Sequence, residues 1–217
     1  MCNSASFVIV SQGAGLVALW DKSVSESHED IINHFNLKDD ELPPDFVRVE
    51  INPPSMDGDG FSAPFEQWTF KTDQDVLPDW YDSERAEVKG RGELAAWLAA
   101  KVVLPGQKRA EVSDRDYVVA VFGTIQAVWG GTIQNVWGGI IEHVSGGTIQ
   151  NVRGGVIQNV SGGIIEHVGG SATVISYIKI EPSILKSSLA VLIDRSGDEV
   201  VVYVGKDEHE TRQEDRP

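Results

Sequence analysis

GTIQAVWG (123–130), GTIQNVWG (131–138), GIIEHVSG (139–146), GTIQNVRG (147–154), GVIQNVSG (155–162) and GIIEHVGG (163–170) follow one another without interruption. Each octad opens and closes on Gly, with Ile third and Val sixth. A short fixed period marks a fold whose units stack on their neighbours. In one flat strand, residues three apart face opposite sides. Ile and Val both point inward only if the backbone bends beside them, and Gly-Gly supplies the positive φ that a corner needs. Rungs stacked about 4.8 Å apart then form ladders of like residues. The octads therefore predict a β-solenoid. An antiparallel meander with Gly-Gly hairpins is the competing arrangement, but it leaves Ile and Val on opposite faces.

The variation between units adds a second layer. Octads three and six share IIEHV, and the other four are variants of TIQNV. The pattern repeats better at 24 residues than at eight, which predicts three octads per turn and about two turns. Residues 24 apart then become vertical neighbours: Gln126 with Gln150, Asn135 with Asn159, Glu142 with Glu166, His143 with His167, Trp129 with Arg153, and Trp137 with Ser161. Two turns bury little and leave open ends, so the chain is expected to form a closed homo-oligomer.

Outward from the array, three further regions differ in texture. Residues 1–116 read as an α+β head, and 117–176 as the solenoid with its entering and leaving strands. Residues 177–205 hold a C-terminal β-hairpin, and 206–217 form a charged tail expected to be disordered. In the head, Phe7–Val10, Leu16–Trp20, Phe46–Ile51 and Gln67–Thr72 read as strands. Ser25–Asn36 reads as a helix that Ser27 can cap, and Glu93–Val103 as an amphipathic helix carrying Leu94, Trp97, Leu98 and Val102. Gly13-Ala-Gly15 lacks the third Gly and the following helix of a dinucleotide-binding turn, and reads as a tight hairpin.

The chain has 217 residues and a formal net charge of −15. That charge is uneven: residues 1–116 carry 22 acidic and 11 basic side chains, while 117–176 carry only Glu142, Glu166 and Arg153. An acidic chain is a poor ligand for nucleic acid or an anionic membrane. Duplex mimicry by the nearly neutral array is excluded as well, and survives only for the head. One cysteine, Cys2, precludes an internal disulfide framework. No apolar run reaches the length of a membrane helix, and a cytoplasmic setting in a bacterial host is expected.

The candidate sites follow from side-chain chemistry. Trp129, Trp137 and Arg153, with Gln126 and Gln150, leave the coil near the glycine corners, where they could bind a partner or a nucleotide-like small molecule. Glu142, His143, Glu166 and His167 have ligand types that suit zinc, although duplication alone would also stack them, and no metal or cofactor is expected. Asp73, Asp75, Asp79 and Asp82 surround Trp80 and Tyr81, and read as capping and a solvated acidic face ahead of acid–base chemistry. Cys2 reads as an ordinary thiol ahead of an N-terminal nucleophile. His28, His34 and His209 show no partner in the sequence.

An α+β head with Trp68-Thr-Phe-Lys71, then Leu77-Pro-Asp-Trp-Tyr-Asp82, then the helix Glu93-Leu-Ala-Ala-Trp97 and a short array of strand-sized repeats resembles uncharacterised proteins of bacteriophages and prophages. The resemblance covers the middle two-thirds of the chain. It implies a phage or prophage origin and transfers no catalytic residue. It sets three expectations: a self-associating binding protein that inhibits or decoys a bacterial defence system, a structural module of a phage particle, or a hydrolase using the acidic cluster or the His/Glu ladder.

Overall fold

The computed structural model describes residues 5–13, 15–20, 27–38, 45–55, 60 and 63–206. Cys2, His209, the start of the helix expected from Ser25 and all but the first residue of the expected tail lie outside the described residues. The chain forms two compact units, Met1–Leu98 and Ala99–Pro217.

The first unit has the α+β make-up expected of the head, but it ends at Leu98 and not near residue 116, since residues 102–116 enter the solenoid. Strands β1 (Ala5–Gln12), β2 (Gly15–Leu19), β3 (Phe46–Asn52) and β4 (Thr69–Thr72) form an antiparallel sheet in the order β2-β1-β3-β4. Gln12 pairs with Gly15, so β1 and β2 meet in a tight hairpin at the expected place. Helix α1 (His28–His34) buries Ile31 and Ile32; Ser27 stands at its N-cap without a side-chain cap hydrogen bond. Helix α2 (Ser83–Lys101) runs as one element and buries Ala86, Gly90, Leu94 and Leu98 along one stripe. A four-residue spacing keeps these side chains on one face. At Gly90 the packing is close: a Cβ would come within 3.2 Å of Ile51 Cδ1, which would have to shift by a few tenths of an ångström. The helix stops at Lys101, so Val102 belongs to a strand and not to the helical face predicted for it.

The second unit is a β-solenoid of about six turns over residues 102–194. Its strands are β5 (Val102–Val103), β6 (Lys108–Val112), β7 (Tyr117–Val121), β8 (Thr124–Val128), β9 (Thr132–Val136), β10 (Ile140–Val144), β11 (Thr148–Val152), β12 (Val156–Val160), β13 (Ile164–Val168), β14 (Thr173–Ser176) and β15 (Val191–Asp194). From β5 to β14, alternate strands join alternate sheets. One sheet runs β13-β11-β9-β7-β5, and the other runs β15-β14-β12-β10-β8-β6 with β16 (Val201–Val204) antiparallel on its end. The hairpin expected at the C-terminus is this β15–β16 pair.

The register corrects the stacking. Ile141 lies against Ile125 and Ile157, and Ile149 against Ile133 and Ile165, so vertical neighbours are 16 residues apart and not 24. Two octads make one turn. The two-turn, three-sided coil is therefore replaced by a two-sided one, in which the six octads complete three turns and degenerate strands extend both ends. The physical reason lies in the corner. Each Gly-Gly reverses the chain into the facing sheet, so one turn needs only two strands.

The facing sheets enclose the core: Ile125, Ile133, Ile141, Ile149 and Ile157 are fully buried, as are the Val ladders beside them. The three-residue spacing of Ile and Val is resolved inside the strand. The ladder skips the fourth octad position, leaving Gln134 and Gln150 unpaired between Ile and Val. Asn151 Nδ2 then donates to Gln134 O at 3.2 Å, and Asn135 Nδ2 to Val119 O at 3.4 Å. The outward step at position four lets both apolar neighbours face inward, and the Asn amide occupies the carbonyl it exposes.

The corner demands glycine twice. Gly147 has φ +75°, and a Cβ on Gly154 would lie 2.6 Å from Trp137 O in the turn below. The first turn makes its corners otherwise. Gln107 N donates to Leu104 O, and the Gln107 side chain accepts from Leu104 N; Asp116 closes Ser113–Asp116 in the same way. At the N-terminal end Arg109 occupies the register of the Ile ladder, facing Ile125. Its guanidinium is held by Ala100 O, Glu111 O and Asp116 Oδ1, so a charged side chain ends the apolar stack. Among the described residues, no helix is long and apolar enough to cross a membrane.

Candidate functional site

Two-sided stacking sorts the seventh octad position onto two edges. On one edge Trp129 precedes Ser145 and Ser161, whose N–H groups donate to Val128 O and Val144 O. On the other edge Trp137, Arg153, Gly169 and Lys186 follow one another, their N–H groups donating to Val121, Val136, Val152 and Val168. The three residues expected to form one binding surface are thus divided. Trp137 and Arg153 share an edge, and Trp129 stands on the opposite one, 60% exposed. The expected Trp129–Arg153 pair is corrected to Trp137–Arg153, with the guanidinium carbon 4.6 Å from the ring centroid. Gln126 and Gln150 likewise lie in different sheets, because β8 and β11 do.

The Glu/His ladder is not formed. Glu142 and His143 belong to β10 in the seven-stranded sheet, and Glu166 and His167 to β13 in the five-stranded sheet. His143 faces Ala127 across the ladder, and His167 faces Asn151. Glu142 instead meets Lys108 Nζ at 3.5 Å. The acidic cluster of the head is also dispersed. Asp82 Oδ1 accepts from Arg85 N at 3.0 Å as a cap of α2, and Asp73 Oδ1 takes Lys71 Nζ at 2.6 Å.

The edge that carries Arg153 also carries a cleft of about 420 Å³, lined by Asn151, Val152, Arg153, His167, Gly169, Gly170 and Lys186. Its origin can be read along the column. Octad six has Gly at its seventh position where the other octads have Trp, Ser or Arg. Gly169 places no side chain between Arg153 and Lys186, whose backbones are two rungs apart, about 9.6 Å at sheet spacing. The missing side chain opens the cleft, and the two cations flank it. Among the described residues, no carboxylate lines it. His167 and Asn151, cross-strand partners, add polar groups from the adjoining face.

Electrostatics and geometry define what this site can take. Trp137 holds the Arg153 guanidinium over its ring, which fixes the charge at the mouth of the cleft. That face of Trp137 is covered by Arg153 itself. A base sandwiched between the two, as a nucleotide-like ligand would have required, has no room on that side. Recognition here rests on charge and hydrogen bonds. Lys186 and His167 do not stand out as a pair in the sequence; the signal that would have found them is the lone Gly at position seven, read with the 16-residue register. No protein-family model matches the chain, and neither a curated protein nor a solved structure matches it.

Proposed function

We propose that this chain is a self-associating binding protein whose solenoid edge captures a small anionic ligand bearing a phosphate or carboxylate. The carrying observation is the gap at Gly169 between Arg153 and Lys186, with His167 and Asn151 beside it and no acid in the lining among the described residues. Two cations about two rungs apart suit a multiply charged oxyanion, because Arg offers a fork of donors and Lys a point charge. In a chain of net charge −15, such a place favours anions against the general field.

The phage-like layout gives the reading a setting: a cytoplasmic protein of an infected bacterium that sequesters a ligand, or blocks a host protein, used in defence. Self-association is supported by β16. It ends the seven-stranded sheet as an edge strand, and Val201, Val202 and Val204 are exposed along it together with Val200 and Leu189. An apolar sheet edge is a template for a further strand, and the same edge supports the second reading, an assembly module.

Calorimetric titration of the full chain with inorganic phosphate and with AMP tests the proposal. Binding is expected, with at least tenfold loss in the Arg153→Ala/Lys186→Ala double variant and no change in Trp129→Ala. Equal affinity in all three proteins, or no binding of either probe, would overturn the site.

A further inference from the structure

We propose that His28, Glu50 and Asp73 in the head form a binding site for a divalent transition-metal ion, with zinc the best match. His28 opens α1, Glu50 lies on β3, and Asp73 follows β4 with its N–H donating to Arg48 O at 2.9 Å. Each offers one ligand atom, and these atoms lie within 4.8 Å of one another.

The tautomer of His28 carries the argument. Its Nε2 lies 3.0 Å from Val49 O. A carbonyl only accepts, so Nε2 bears the hydrogen and Nδ1 presents a lone pair. That lone pair is 3.8 Å from Asp73 Oδ2. Two acceptors facing each other take a donor or a cation between them: a water, a proton on Nδ1 or a metal ion. The other polar atoms of the three ligands are already engaged. Asp73 Oδ1 accepts from Lys71 Nζ at 2.6 Å, and Glu50 Oε2 accepts from Asn52 Nδ2 at 3.3 Å. Metal-binding His and carboxylates are held in this way, each with its far atom bonded to an outer partner.

The donor set selects the ion class. One imidazole nitrogen and two carboxylates suit zinc and its transition-metal neighbours, whereas calcium and magnesium favour oxygen alone. Bonds of about 2.1 Å set tetrahedral ligand atoms about 3.4 Å apart, so the 3.8 Å gap between His28 and Asp73, and separations within the cluster of up to 4.8 Å, must close by side-chain rotation. Lys71 holds the outer oxygen of Asp73, Oδ1, which leaves Oδ2 on the side of His28. The exposed Asp73 leaves a fourth position to water.

Titration of the chelator-stripped full chain with Zn²⁺ decides between metal and proton. One ion per chain is expected, lost by more than about 100-fold in His28→Ala and in Asp73→Asn, and weakened about 10- to 100-fold in Asn52→Ala, which removes only an outer partner. Cobalt substitution should give the visible bands of a four-coordinate ion. Asp73 is exposed, so Asp73→Asn keeps the test alive if His28→Ala fails to fold. Absence of one-to-one binding overturns the proposal. So does binding unchanged by Asp73→Asn, or an Nδ1 proton on His28 that Zn²⁺ leaves in place.

Discussion

The two edges of the solenoid share one corner design and differ in what the corner displays. Along one edge the seventh position reads Trp129, Ser145, Ser161; along the other it reads Trp137, Arg153, Gly169, with Lys186 next in the column. The backbone demands are the same on both. Gly146 and Gly162 approach Trp129 O and Ser145 O on the first edge, and Gly154 and Gly170 approach Trp137 O and Arg153 O on the second. Close approach and positive φ fall on the glycines, so position seven is left to chemistry. One edge uses it for small hydroxyls and a bare indole. The other builds a stacked guanidinium, a gap and a second cation.

The largest effect should come from breaking a corner. Gly147 has φ +75°, and a Cβ there would meet the backbone of Gly130 and Gly131. Gly147→Ala should cost about 2–5 kcal/mol, combining left-handed strain with overpacking. A methyl added at Gly138 would meet nothing within 4 Å, because the corner below is one residue shorter: β9 pairs with β7 at an offset of 15 residues, and β10 with β8 at 16. Gly138→Ala should stay within about 0.5 kcal/mol. Urea unfolding of the two variants measures the difference, and equal costs would refute the two-glycine account.

Next in size is the separation of inside from edge. Ile149 is fully buried in the ladder between Ile133 and Ile165, while Ile164, two octads later at the second position, is 59% exposed. Ile149→Ala should lose about 2–5 kcal/mol. Ile164→Thr should change stability by about 0.5 kcal/mol or less. A large loss from Ile164→Thr would mean that this position is covered in the assembled protein, which would sharpen the case for self-association.

These contrasts also explain what the sequence could and could not convey. The period, the inward Ile and Val, and the glycine corners are written in every octad, and all are in the fold. Strands per turn are not so written. Ile, Val and Gly are identical in each octad, so they are silent about which octad lies above which. The variation sits at positions two, four, five and seven, which are largely solvent-facing and do not set the register. The IIEHV octads therefore suggest 24 residues while the backbone stacks at 16, and His143 and His167 fall in different sheets. The outer turns are hidden for a related reason. Residues 102–121 and 173–194 keep the strands but replace the paired glycines with side-chain-closed turns, one of them still using Gly106, or with longer loops. In the head, His28, Glu50 and Asp73 come from three elements far apart in sequence, and only the β3–β4 register with α1 joins them.

The smallest effect tests the corner that does without paired glycines. Ser113–Asp116 occupies the same edge as Trp129, one turn earlier. There the Asp116 carboxylate accepts from Ser113 N at 2.8 Å and meets Arg109 Nη2 at 2.9 Å. The Ser113 N–H foremost, then its hydroxyl and Arg109, hold the Asp116 carboxyl below its ordinary range. A carboxyl depressed in the folded state contributes stability above its unfolded pKa, and that contribution fades as the pH falls through the folded value. The window therefore lies below about pH 4, the ordinary aspartate range. Asp116→Asn keeps an oxygen for Ser113 N but loses the charge facing Arg109. At neutral pH it should cost about 0.5–1 kcal/mol, because partial exposure screens the pair. As the pH is lowered toward 2, the variant should lose less stability than the parent, and the two urea midpoints should converge. Parallel acid limbs would show that the carboxylate does not hold this corner, and that the first turn rests on Arg109 and the backbone alone.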